Sequence, residues 1–139
     1  MSNQRIVVGV DGSQHSLAAL AWSLQHAHLL GWPVRAVYAW QMPMIAVPGA
    51  FDPGQMQDAA AAELVRNVSR IAPTPSVPIE LSTAQGDPTE SLIAACADAQ
   101  LLVVGTRGRS PFRGLLLGSV SQGCAAGAPC PVVTVRDDG

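Results

Sequence analysis

A short apolar run, Leu101-Leu102-Val103-Val104, leads directly into Gly105-Thr106-Arg107-Gly108, and nine residues later comes Gly118-Ser119. No other juncture in the chain constrains the fold as much. Four consecutive apolar residues without polar alternation are the pattern of a strand buried on both faces, which belongs to a parallel sheet. Ser119-Val120-Ser121-Gln122 can start the helix that follows, and a helix start offers unpaired N–H groups at the positive end of the helix dipole. Glycines at 105, 108 and 118 let the backbone turn sharply and approach an anion with no Cβ in the way. The hydroxyls of Ser119 and Ser121 are further donors, and Arg107, Arg109 and Arg113 place positive charge in the same stretch. Phosphate is the guest that this combination suits.

The rest of the chain alternates strand and helix patterns around this unit. Ile6–Val10 reads as a buried first strand, broken by Asp11-Gly12-Ser13. Leu17, Leu20, Ala21, Leu24 and His28 then fall at helical spacing, and Gly31 supplies a C-terminal stop. Val34–Trp40 is a second strand. A Pro-rich connection follows from Gln41 through Pro43, Pro48 and Pro53, longer than an ordinary strand-to-helix loop. Met56, Ala60, Leu64, Val68 and Ile71 mark one face of a second helix, ended by Pro73 and Pro75. Val77, Ile79, Leu81 and Thr83 alternate with polar residues and Pro78, so this third strand belongs at a sheet edge. Asp87-Pro88-Thr89-Glu90 has the form of a helix start, with Leu92, Ile93 and Cys96 on the buried side. Leu101–Gly105 is the fourth strand, and Pro131–Val135 the fifth. Such alternation calls for an α/β domain over residues 1–139, a parallel five-stranded sheet with helices on both faces.

Composition removes several classes of function. The net charge of −2 argues against a nucleic-acid binder, which needs a basic surface. All eight basic residues are Arg, so neither a Walker-type lysine nor a Schiff-base lysine is available. Cys96, Cys124 and Cys130 are odd in number and lack metal-ligand spacing, which favours buried free thiols over a disulfide framework or a zinc site. No apolar run approaches the roughly 20 residues of a membrane span, and Gly9 and Asp11 interrupt the first run too early for a signal peptide. A cytoplasmic protein is expected. An apolar fraction of 48% against 13% charged residues implies an extensive core or a subunit interface.

Three separated segments carry a resemblance to a known family: Val8-Gly9-Val10-Asp11-Gly12-Ser13, the spacing Gly-x2-Gly-x9-Gly-Ser from Gly105 to Ser119, and Cys130-Pro131-Val132-Val133-Thr134-Val135. In this order and over nearly the whole chain they are similar to the ATP-binding branch of the universal stress proteins. The resemblance implies a doubly wound, Rossmann-like sheet in which strands one and four lie side by side, with ligands outside their carboxyl ends. It implies ATP as ligand, with Mg²⁺ as its companion. Val104 and Gly105 through Arg109, including Thr106, Arg107 and Gly108, would wrap the ribose and phosphates. Gly118, Ser119, Val120 and Ser121 would hold the phosphates. Gly9, Val10 and Asp11 would face the adenosine, and the backbone of Ala39 would contact adenine. A homodimer through Val132, Val133, Thr134 and Val135 and a role in stress adaptation follow from the same likeness.

Other readings of these residues stay open at the level of sequence. Asp11 also suits a turn-stabilising role before a helix capped by Ser13. The glycine loop also reads as a surface connection ended by a capping serine. His15 reads as a lone solvated histidine or as a neighbour of the phosphates. His26 and His28 point different ways on one helix. A dinucleotide site is disfavoured, since strand one lacks Gly-x-Gly-x-x-Gly after it and strand two ends in Trp40-Gln41 without a ribose-binding acid. No catalytic base or nucleophile pair accompanies the loop, so the expectation is a binding protein with at most slow ATP hydrolysis. A hydrolase or adenylyl-transfer enzyme and a ligand-free dimeric adaptor are the alternatives. Gly123 and Gly127 inside the fourth helix would each cost about 1 kcal/mol relative to alanine, which weakens the expected rigidity of that helix.

Overall fold

In a computed structural model of the protein, residues 4–42, 49–107 and 117–137 are described. They form β1 (Ile6–Gly9), α1 (Gln14–Leu30), β2 (Val34–Trp40), α2 (Pro53–Ile71), β3 (Ile79–Gln85), α3 (Pro88–Ala95), β4 (Leu101–Gly105), α4 (Ser119–Gly127) and β5 (Val132–Val135). The strands make one parallel sheet in the order β3-β2-β1-β4-β5. Strands one and four are therefore neighbours, as the resemblance implies, and the strand order reverses between them.

Each face of the sheet buries its own core. Ile6, Val8, Ala36 and Val103 point to the side covered by α1 and α2, where they meet Leu20 and Leu64. Val7, Val37, Leu102 and Val104 point to the other side, against Leu92, Cys96 and Cys124 of the α3 and α4 layer. Burial on both faces is why these strands read as continuous apolar runs. No described helix is long and apolar enough to cross a membrane.

The local stop and start signals act as the sequence indicates. Ser13 caps α1, its hydroxyl accepting from the Ser16 N–H, and Gly31 ends that helix in the left-handed region at φ 72°. Asp87 caps α3 by accepting from the Glu90 N–H.

Three expectations need correction. The buried stripe of α1 runs through Ser16, Leu17, Ala19, Leu20, Ser23 and Ala27, so Ala21 and His28 lie on the exposed side. Two serines sit in the buried stripe because their hydroxyls bond their own helix: Ser23 donates to the Ala19 carbonyl at 2.8 Å and Ser16 to the Ser13 carbonyl at 3.0 Å. A polar residue satisfied this way disguises a core position. Helix α2 begins at Pro53, ahead of Met56, because Asp52 caps it and Pro53 occupies the first turn. Strand β3 begins at Ile79, two residues after Val77. Pro43 and Pro48 lie outside the described residues.

Candidate functional site

The carboxyl ends of the central strands open into a cleft of about 730 Å³. Gly9, Val10 and Asp11 contribute its floor from the end of β1. Val104, Gly105 and Arg107 come from the end of β4. The position follows from topology, since a crevice forms where neighbouring strands send their connections to opposite faces.

Beyond the end of β1 the sheet leaves an edge of β2 uncovered. The β1–β2 register stops at Gly9 opposite Val37, and the Val10 N–H donates to the Val37 carbonyl at 2.8 Å. In a strand, residues two apart direct their backbone groups the same way. Ala39 therefore aims its N–H and C=O toward the side where β1 has ended, into the cleft it lines. Trp40 faces the opposite side, its carbonyl accepting from the Gly86 N–H at 2.8 Å. One residue thus presents a donor and an acceptor side by side. That pair matches the edge of a purine.

At the start of α4, Gly118 is the N-cap, with φ −77° and ψ 175° and no side-chain cap. The first intrahelical bond runs from the Gln122 N–H to the Gly118 carbonyl at 3.0 Å. The amides of Ser119, Val120 and Ser121 precede it and so lack helical acceptors, and these residues line the cleft. An anion is the natural partner for such a cluster.

Thr106 does not line the cleft. It is 6% exposed and pins the loop from beneath. Its N–H donates to the Val135 carbonyl at 2.9 Å, and its own carbonyl accepts from the Gly118 N–H at 2.6 Å. The Ser121 hydroxyl also reaches the Thr106 carbonyl, at 3.0 Å, and lies 2.9 Å from the Gly118 carbonyl. Both ends of the glycine loop are therefore tied to one buried residue. The expected donor role of the Ser121 hydroxyl is corrected accordingly, since its single proton is used within the loop.

His15 is likewise no lone solvated residue. Its Nδ1 lies 3.0 Å from Thr106 Oγ1 and 3.2 Å from the Asp137 backbone nitrogen, which joins α1, β4 and the segment after β5. The backbone of His15 also explains Gly105: a Cβ at that glycine would fall 2.7 Å from the His15 carbonyl carbon. Helix α1 crosses β4 so closely that no side chain fits between them. Asp11 serves its turn, its Oδ1 accepting from the Ser13 N–H at 2.9 Å, while it also lines the cleft.

Sequence reasoning missed the wall supplied by α2. Met56, Ala59, Glu63 and Arg66 line the cleft along one stripe of that helix, and Arg66 pairs with Glu63 at 2.6 Å. At the end of β2 the Trp40 indole N–H donates to Gln57 Oε1 at 2.7 Å, and the Gln57 amide donates onward to Thr83 Oγ1. A donor-only indole fixes which way that amide points. The signal was present in the i, i+3, i+7 spacing of Met56, Ala59 and Glu63, but nothing local says which side of a helix meets a cleft. Gly108, Arg109 and Arg113 lie outside the described residues. No group of three or more metal-ligating side chains occurs among the described residues.

The fold and the cleft together define an α/β protein of the doubly wound type with its crevice at the strand-order reversal. Residues 2–136 match the model of the universal stress protein family. The chain belongs to that family. A universal stress protein of Mycobacterium tuberculosis is 33% identical over 132 residues, covering 94% of this chain and 45% of the relative. The chain spans about half the length of the curated relatives it matches. Among solved structures, the universal stress protein UspA from Lactobacillus plantarum superposes with a TM-score of 0.80 at 23% identity, covering 98% of this chain and 99% of that one. A universal stress protein in complex with cAMP gives a TM-score of 0.70 at 28% identity, covering 97% and 98%.

Proposed function

We propose that this chain binds an adenine nucleotide, ATP by the reading of its glycine loop, and acts as a nucleotide-responsive regulatory protein in stress adaptation. The observation that carries the reading is the pairing of two backbone surfaces across one cleft: the Ala39 edge, which suits a purine, and the open amides of Ser119, Val120 and Ser121, which suit phosphate. The family member bound to cAMP supports an adenine nucleotide as ligand class. Gly9, Val10 and Asp11 lie between the two surfaces, where the sugar would rest.

Charge bears on the form of the ligand. Among the described lining residues Arg66 and Arg107 are balanced by Asp11 and Glu63. A triphosphate then depends on backbone dipoles and on Mg²⁺, which binds through substrate phosphates and one or two carboxylates. Asp11 is the carboxylate beside the strand ends. Among the described lining residues no nucleophile–base pair accompanies the binding groups, so binding rather than turnover is the proposed activity.

Isothermal calorimetry with ATP, AMP and cAMP, with and without Mg²⁺, tests the reading together with the nucleotide content of freshly purified protein. Saturable binding is expected, and Gly118→Val should weaken it at least tenfold, because a branched side chain would stand at the mouth of the amide cluster. The φ of −77° at Gly118 is one that valine adopts, so the fold should survive. No binding of any of the three, or unchanged affinity in the variant, would overturn the assignment.

A further inference from the structure

The three cysteines, far apart in sequence, converge on one side of the sheet. Cys96 ends α3 and Cys124 lies within α4, both with no exposure, and Cys130 packs against the same apolar cluster just before β5. All three are free thiols, and Cys130 is the half-buried one. The Cys96 thiol donates to the Ile93 carbonyl at 3.4 Å, and Cys130, packed against the same cluster, is its electrostatic neighbour. Metal binding does not explain the group, since no set of ligands with that capacity occurs among the described residues. Cys96 and Cys130 also bracket β4, the glycine loop and α4, the whole segment that carries the phosphate-facing amides.

We propose that Cys96 and Cys130 are a modification site, oxidised by a peroxide to an intramolecular disulfide that fastens together the two ends of the glycine-loop segment. Cys130 is the partly exposed residue of the three. Its thiolate attacks one peroxide oxygen; the O–O bond breaks, a sulfenic acid forms and the other oxygen leaves as water after protonation. The Cys96 sulfur then attacks the Cys130 sulfur. The S–O bond breaks, the hydroxide departs with the Cys96 proton as a second water, and the two thiols together have given two electrons to the peroxide. Cys96 is held as the neutral thiol, its pKa pushed up to about 12 by burial and by Cys130, so the second step is the slow one. Cys124 stays a thiol because burial keeps peroxide from it, whereas Cys96, equally buried, reacts with its neighbour Cys130 and never meets the peroxide. In a reducing compartment such a bond would be transient and oxidant-sensing.

The test exposes the reduced protein to equimolar hydrogen peroxide, then counts thiols after unfolding and maps peptides without reduction. The free thiols should fall from three to one, with a Cys96–Cys130 linked peptide. Cys124→Ser should behave identically, whereas Cys96→Ser and Cys130→Ser should abolish the link. The oxidised chain should also melt at a higher temperature than the reduced one, because the cross-link restricts the unfolded chain. Dithiothreitol should restore both thiols. Retention of all three thiols, a Cys130 sulfinic acid without a link, or a Cys130–Cys130 bond between chains would each overturn the proposal. All of these readouts are independent of nucleotide binding.

Discussion

Gly105 shows why a glycine in a binding motif need not be there for the ligand. Its backbone has no positive φ; what it lacks is room, since an added Cβ would meet the backbone of His15 at 2.7 Å. Backbone atoms cannot rotate aside, so Gly105→Ala should destabilise the protein by about 1–3 kcal/mol, as overpacking does. Urea unfolding checks this, and a neutral result would mean that α1 is not packed on β4 as described. The buried thiols make a second residue-scale prediction. Burial raises Cys96 to about 12 and Cys124 to about 11 from an ordinary 9.0. A group whose folded pKa is raised contributes stability that is present below its unfolded value and is lost as pH rises through the folded value. The melting temperature should therefore fall above pH 9.0, and less steeply when both cysteines are replaced by alanine. An alkaline slope identical in the double variant would count against buried neutral thiols.

Helix α4 begins with the open amides of Ser119, Val120 and Ser121, and its two glycines lower its intrinsic helix propensity. Packing supplies the reason for its glycines. A Cβ at Gly123 would lie 2.6 Å from Thr89 Cγ2, and one at Gly127 would lie 3.0 Å from Ile93 Cδ1, so the glycines let α3 and α4 approach closely. Two terms then compete in Gly123→Ala. Helix propensity gains about 1 kcal/mol, but overpacking against a β-branched neighbour that is stiff at χ1 costs about 1–3 kcal/mol. Net destabilisation of about 1 kcal/mol is expected from thermal or urea unfolding; a stabilised variant would show that the two helices have room to part. Helix α1 illustrates the reverse problem. Its buried stripe includes Ser16 and Ser23, so a pattern of apolar residues alone selects the wrong side for Ala21 and His28.

At the scale of the whole molecule, β5 is an edge strand of the sheet. Val133 and Val135 pack with the α1-side core, and Val132 with the opposite core. The Leu102 N–H donates to the Pro131 carbonyl and the Thr106 N–H to the Val135 carbonyl, so odd-numbered residues spend their backbone groups on β4. Val132 and Thr134 direct theirs outward. We propose that this outward row pairs with a second copy of the chain across a two-fold axis, which would protect an otherwise open edge. Thr134→Pro removes one outward N–H without touching the β4 ladder. It should convert dimer to monomer in sedimentation velocity with the melting temperature of the monomer little changed; wild-type chains that sediment as monomers at micromolar concentration would refute the pairing.

What the sequence determined by itself was local. The alternation of strands and helices, the caps at Ser13, Gly31 and Asp87, and the glycine loop between an apolar strand and a helix start are each encoded within a few consecutive residues, where turn chemistry and periodicity act. The resemblance added the strand neighbours, which spacing alone does not give. The tertiary structure decided what depends on residues brought together across the chain. His15 meets Thr106 across 91 positions, and Trp40 meets Gln57, which in turn meets Thr83 on a third element. The Ser121 hydroxyl turns inward, α2 supplies a cleft wall, and three separated cysteines share one core. None of these has a local signature, because a side chain's partner is set by which faces the sheet order brings into contact, and that is a property of the packed chain.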